Sequence, residues 1–202
     1  VAYPPFEAVR LSFLEEGRFS LGIWRTILTN SSYIDALKGS LKLGCCTATL
    51  STLIGFLFAF ACTRTNVRFK RFIAMMGVLP VISPPFSLTL SVILLFGNNG
   101  LITRWLGLTG FSIYGLPGLT MVQTMCMFPI AFLTLSGVLE AIDSTFEEAA
   151  LNLSASRLRT FASITLPLAA PGLLSAWLLV FTTSLADFAN PLLLAGDLKV
   201  LS

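Results

Sequence analysis

The sequence predicts an all-α integral membrane protein, a polytopic helical bundle with about four complete crossings. Three observations carry this. Of the 202 residues, 55% are hydrophobic and only 11% are charged, whereas soluble domains carry about 25% charged residues. The apolar residues gather in four runs, near 41–62, 72–96, 116–139 and 168–188. Each run is long enough, at about 1.5 Å of rise per residue, to cross or nearly cross roughly 30 Å of hydrocarbon. The charges collect between the runs, so residues 1–202 read as a single transmembrane domain.

Residues 1–34 mix aromatics and prolines with Glu7, Arg10, Glu15, Glu16, Arg18 and Arg25. Tyr3-Pro4-Pro5-Phe6 reads as the outer end of a preceding helix. The remainder reads as an interfacial segment of short helices, with Trp24 and Tyr33 at headgroup depth. The first crossing is expected from about Leu41 to Cys62. Gly39, Gly44, Ala48, Ser51 and Gly55 recur along it near three- and four-residue spacing, a stripe that lets helices approach closely in lipid. Lys38 and Lys42 stand at its entrance, where their stems can snorkel.

Arg64, Arg68, Lys70 and Arg71 follow with no acid among them, the pattern of a short cytoplasmic loop. The second crossing, about Phe72 to Phe96, holds Pro80, Pro84 and Pro85, together with Ser83, Ser87, Thr89 and Ser91. Proline frees backbone carbonyls that must face protein or water, so a broken helix and a simple kink are both open. Gly97-Asn98-Asn99-Gly100 is a turn, leading to an amphipathic piece around 101–108 with Arg104-Trp105 at the interface. The third crossing, about Leu116 to Leu139, carries Gln123 and Pro129.

Between the third and fourth runs lies a polar stretch, Glu147 to Gly172. Ser144 stands three residues before Glu147, the spacing of a capping box. Glu148, Ala149, Ala150 and Leu151 are strong helix formers. Arg157 and Arg159 come near the expected far end, where positive charge suits a helix C-terminus, and Leu166-Pro167 is expected to break the helix. The fourth crossing, about Leu168 to Phe188, ends on Asp187. A carboxylate near membrane depth is expensive and marks a functional candidate. Asp187 and Asn190, with the polar Ser83 and Gln123 of neighbouring crossings, are the candidate lining of a translocation path.

Histidine is absent, which removes the commonest general base and metal ligand. Cys45, Cys46, Cys62 and Cys126 lie in apolar runs without C-x-x-C spacing, and read as small buried hydrophobes. No G-x-x-x-x-G-K-[ST] loop occurs, so ATP binding by this chain is not expected. No cofactor or metal site is expected, and the chain reads as no enzyme. The net charge of +3 is small, and no basic run alternates with stacking aromatics, so nucleic acid is not an expected partner.

Glu148-Ala149-Ala150, three residues, the small Ser154, then Leu166-Pro167 and Pro171 resemble the EAA loop of ABC transporter permeases. One position departs from that pattern: Ser154 stands where the loop has glycine. The resemblance implies a type I ABC permease bundle whose coupling residues are Glu147, Glu148, Ala149, Ala150, Ser154, Ala155, Ser156, Arg157 and Pro167. It implies a separate ATP-binding cassette subunit, a periplasmic substrate-binding protein and a second permease half, fused or homodimeric. The location it implies is the bacterial inner membrane, with the chain crossing several times. Ser184 to Pro191, and Phe96-Gly97 through Asn99-Gly100-Leu101-Ile102, resemble segments of ferric-iron permeases. Thiamine, phosphonate and polyamine permeases are similar in pattern, and a passive channel or structural membrane subunit is the reading from another class.

Basic residues do not orient the chain: six fall in the expected inner loops and seven in the outer regions. With the EAA-like stretch inside, both ends lie outside. The chain then reads as part of a longer permease that lacks the first and last crossings of the core.

Overall fold

The structure is a computed structural model that describes residues 7, 10–15, 18–65, 67–82, 84–107 and 112–201. Tyr3 to Phe6, Glu16, Ser83 and 108–111 lie outside the described residues. The N-terminal segment has helix at 10–12 and 22–29, in line with the expected short helices, and between them a strand pair that was not expected. Leu14–Glu15 (β1) and Arg18–Phe19 (β2) pair antiparallel as a small hairpin, followed by one short helix, Gly22–Thr29 (α1).

The first crossing starts about ten residues earlier than expected. Helix α2 runs from Ser31 to Arg64, so Tyr33, Lys38 and Lys42 belong to it. Its start is local chemistry: Asn30 has extended backbone and its side chain accepts the Ser32 N–H, the work of an N-cap. At 34 residues it is about 50 Å long, longer than the hydrocarbon alone requires. The expected stripe is the buried face, with Gly39, Gly44, Ala48, Ser51 and Gly55 all inside. A Cβ at Gly55 would fall 2.7 Å from the Phe132 backbone nitrogen, so here glycine sets how closely two helices approach.

The second run is broken, not kinked. Lys70–Ile82 (α3) stops before Pro84, and Pro85–Phe96 (α4) starts anew with Pro84 as N-cap. Proline is accepted in a first helical turn because its missing N–H has no helical partner there. The turn at 97–100 forms as expected, with Gly100 N–H bonding Gly97 O at 2.8 Å. It leads to Leu101–Trp105 (α5). The third crossing is Leu116–Ala141 (α6), with Pro129 inside it.

Thr145–Asn152 (α7) is the loop helix. After it, Arg157–Thr160 (α8), a π-turn at Phe161–Thr165 and Leu166–Leu185 (α9) follow one another with helical backbone at each join. Two expectations are corrected by this rod. Arg157 and Arg159 begin a helix and do not end one, and Leu166-Pro167 does not break it. The physical reason lies in the π-turn. Leu166 N–H bonds Phe161 O, five residues back, so the i→i−4 register is already lost where Pro167 has no N–H to give. Ala189–Leu194 (α10) is the last helix among the described residues.

Among the described residues, four helical stretches are long and apolar enough to cross a membrane: Ser31–Arg64, Phe86–Trp105, Leu116–Ala141 and Arg157–Leu185. The second differs from the expected 72–96, because α3 stands as a separate half-crossing before it. Helices α2, α6 and α9 pack mutually as the centre of the bundle, α3 lies on α6 and α2, and α10 on α4 and α6. The core between α2, α6 and α9 is small and tight, with Ala48, Ala59, Ala131, Leu135, Ala169 and Ala176 fully buried. Small residues give the close backbone approach on which helix association in lipid depends.

Candidate functional site

Helix α7 is built differently from the expected capping box. Ser144 has helical backbone and makes no side-chain cap. The Thr145 N–H donates instead to Asp143 Oδ1 at 2.9 Å. That hydrogen bond holds the Asp143 carboxyl below the usual carboxylate range. Glu147 is thereby free to turn inward. Its Oε1 accepts the Thr165 hydroxyl at 2.7 Å, and its Oε2 lies 3.5 Å from Arg64 Nη1. The helix then ends in a Schellman arrangement. Ala155 N–H reaches back to Ala150 O and Ser154 N–H to Leu151 O, both at 3.0 Å, with Ser154 left-handed at φ 62°. This is the pair of bonds that closes a helix through a residue in that conformation. The turn that glycine favours therefore survives with serine.

No residue of α7 is buried. Phe146, Ala149 and Leu153 are exposed and stand at i, i+3 and i+7, one face of a helix. Phe146 is 57% and Leu153 84% exposed. Glu148 is exposed at the flank of that face, while Ala150 and Glu147 are half-buried on the inward side. Of the remaining expected coupling residues, Ser156, Arg157 and Pro167 are exposed and Ala155 is half-buried. Ser156 N-caps α8 by accepting the Arg159 N–H at 3.3 Å. A cleft of about 880 Å³ lies beside α7 and the end of α2, with Arg64, Lys70, Glu147, Glu148, Arg157 and Phe161 on its walls.

Arg64 is the residue that loop reading of the sequence misplaced. It is the last residue of α2, and its side chain is only 9% exposed. Its Nη2 donates to Leu139 O and Ile142 O, both at 2.6 Å. A guanidinium thus caps the carbonyl end of α6, where positive charge is favoured. Only the run of cations 64, 68, 70 and 71 was visible in the sequence, and nothing in it singled out the first.

At the other end of the bundle the structure brings together three of the four expected path residues. Gln123 is fully buried on α6. Its Oε1 accepts the hydroxyls of Thr47 at 3.1 Å and Ser184 at 2.8 Å, and its Nε2 donates to Asp187 Oδ2 at 2.7 Å. Asn190 Nδ2 donates to the same oxygen at 2.6 Å. The Ala189 and Asn190 N–H groups bond Asp187 Oδ1 at 3.1 and 3.4 Å. The Thr89 hydroxyl donates to Asn190 Oδ1. Side chains from α2, α4, α6, α9 and α10 therefore meet around one half-buried carboxylate, whose donors among the described residues are all amides. Such a network is costly to disturb at low dielectric. Thr47, Thr89 and Ser184 are its unforeseen members; their recurrence on the inward faces of apolar runs was the available signal.

The family model for "Binding-protein-dependent transport system inner membrane component" matches residues 51–201. The chain is 36% identical over 181 residues to the ferric transport system permease protein FbpB of Actinobacillus pleuropneumoniae, covering 87% of this chain and 26% of that protein. A relative from Haemophilus influenzae, also bearing a ferric-transport name, is 34% identical across 100% of this chain and 33% of its own length. The chain thus spans about a third or less of these two proteins. It is 31% identical to the molybdenum transport system permease protein ModB of Mycobacterium tuberculosis, over 86% of this chain and 66% of that one. The fold resembles that of a solved bacterial alginate ABC transporter in complex with an alginate-bound periplasmic protein, at TM-score 0.74 and 15% identity, over 91% of this chain and 66% of that one. With a family match over most of its length and the helical bundle just described, this chain belongs to the inner membrane components of binding-protein-dependent transport systems.

Proposed function

We propose that the chain is a permease part of an ATP-driven importer in the bacterial inner membrane, and that α7 is its coupling helix. The observation that carries this is the exposed face of Phe146, Ala149 and Leu153, held outside the bundle on a helix with no buried residue. An apolar face left in water calls for a partner. An ATP-binding cassette subunit with a groove for it is that partner, and it hydrolyses the ATP, since this chain carries no phosphate-cradling loop. Closure of the ATPase pair moves α7, and the crossings follow as rigid bodies in alternating access. A periplasmic binding protein delivers the substrate at the opposite end. A second permease half, fused further along the same polypeptide or supplied by a second copy, completes the pathway. Residues 1–202 are part of one permease domain, with further crossings outside them.

Ferric iron is the cargo best supported, by the names of the two ferric-transport relatives. Relatives named for sulfate, molybdenum and putrescine transport also match and define the alternatives. For the path, Asp187 is the foremost candidate because it alone among Gln123, Asn190 and itself is part-exposed. Asp187→Asn is expected to lower uptake at unchanged expression; unchanged uptake returns Asp187 to a packing role. The test of the coupling role is Ala149→Arg, which places a long cation on the exposed face. Uptake is expected to be lost while membrane insertion is retained. Normal ATP-driven uptake in that variant contradicts the coupling reading, and uptake without ATP favours a channel.

A further inference from the structure

The glutamate that precedes Glu148-Ala149-Ala150 does not face outward with the exposed residues of α7. We propose that Glu147, with Arg64 and Thr165, forms a positioning hub that makes α7 and the three central crossings move as one body. The proposal rests on the coupling-helix reading and adds the route by which displacement leaves that helix.

With no buried residue, α7 is seated only lightly by apolar packing. Its side-chain tie to the bundle is the Glu147 carboxylate, and each oxygen of that carboxylate goes to a different crossing. Oε2 meets Arg64 Nη1 at the end of α2, and the same guanidinium holds the carbonyls of Leu139 and Ile142 at the end of α6. Oε1 takes the Thr165 hydroxyl, where the π-turn joins α9. Thr165 is 2% exposed. A threonine in a helix ordinarily turns its hydroxyl to the carbonyl of its own preceding turn; Thr165 gives it to Glu147. One carboxylate thus ties α7 to α2, to α6 through Arg64, and to α9 through Thr165. These are the helices that pack mutually at the centre of the bundle. Arginine suits the post because its fork serves two carbonyls and a carboxylate at once. A part-buried charge pair also resists separation, because either partner alone would be left uncompensated.

The test is made on the complete permease assembled with its co-expressed ATPase subunit. Spin labels are placed through Asn152→Cys on α7 and Leu178→Cys on α9, with the native cysteines replaced. Both positions are exposed. The hub predicts a narrow label-to-label distance that does not change when ATP is added. In Glu147→Ala the ATPase subunit is still captured, but ATP shifts or broadens that distance, because α7 now moves without α9. Glu147→Gln keeps an acceptor for Thr165 and stays closer to the parent; it also carries the test if the alanine variant fails to insert into the membrane. An ATP-dependent distance in the parent overturns the hub. So does an unchanged distance in Glu147→Ala, or in Glu147→Gln combined with Thr165→Val. Loss of ATPase capture in Glu147→Ala overturns it too, by moving Glu147 onto the docking face. Ala149→Arg separates the two claims: if it leaves capture intact, the coupling reading itself fails, whereas capture lost there with Glu147→Ala behaving as the parent sinks only the hub.

Discussion

A serine held at φ 62° sits in a conformation that costs an L-residue with a Cβ roughly 1–2 kcal/mol. Ser154 accepts that strain because two backbone bonds, Ser154 to Leu151 and Ala155 to Ala150, close the helix only through it. Glycine would adopt the same backbone freely while losing more entropy on folding. Ser154→Gly is therefore expected to raise the thermal midpoint of the detergent-solubilised protein by about 2 °C and to leave uptake intact. A lower midpoint would show that the serine side chain contributes something the backbone geometry does not reveal. Asp187 teaches a related lesson at the other end. An acid at the end of an apolar run reads as a path residue, but what the run cannot display is that Gln123 and Asn190 point their amides at it. Those contacts span 64 residues in one case, and no local pattern encodes them.

Among the elements, the apolar runs and the small-residue stripe were legible, because length and side-chain size are written directly in composition. Gly55 shows why the stripe has physical force. A leucine there would drive its Cβ into the Phe132 backbone, which cannot step aside. Gly55→Leu is expected to cost stability toward the upper end of about 1–3 kcal/mol, read as a lower midpoint and poor recovery of dispersed protein. Gly137→Ala is the matched control, since a Cβ there meets nothing within 4 Å; equal behaviour of the two variants would mean that α2 and α6 are not closely packed. Element ends were less legible than element cores. Hydropathy marks where lipid requires a helix, and α2 begins about ten residues sooner because Asn30 caps it. Pro167 misled for the opposite reason. A proline is a sound stop signal only while the i→i−4 register holds, and the π-turn had already changed that register. The capping box at Ser144 failed because Asp143 took the capping role and Glu147 had a stronger partner in Arg64.

At the scale of the whole molecule, the described residues form two polar centres, one toward each end of an apolar bundle. Arg64 and Glu147 gather the ends of α2, α6, α7 and the π-turn at one end. Asp187 gathers α2, α4, α6, α9 and α10 toward the other. Long helices tie the two, so a displacement at the first has a stiff route to the second. That arrangement suits a machine driven at one end and open to cargo at the other. Cross-linking tests most directly whether α7 docks on an ATPase subunit, as proposed. Ala149→Cys is introduced with Cys45, Cys46, Cys62 and Cys126 replaced, and the protein is co-expressed with a candidate ATPase subunit bearing a cysteine in the facing groove. The account predicts a cross-link whose yield changes with nucleotide. A well-expressed, inserted protein that forms no cross-link with the ATPase subunit, with or without nucleotide, would contradict it.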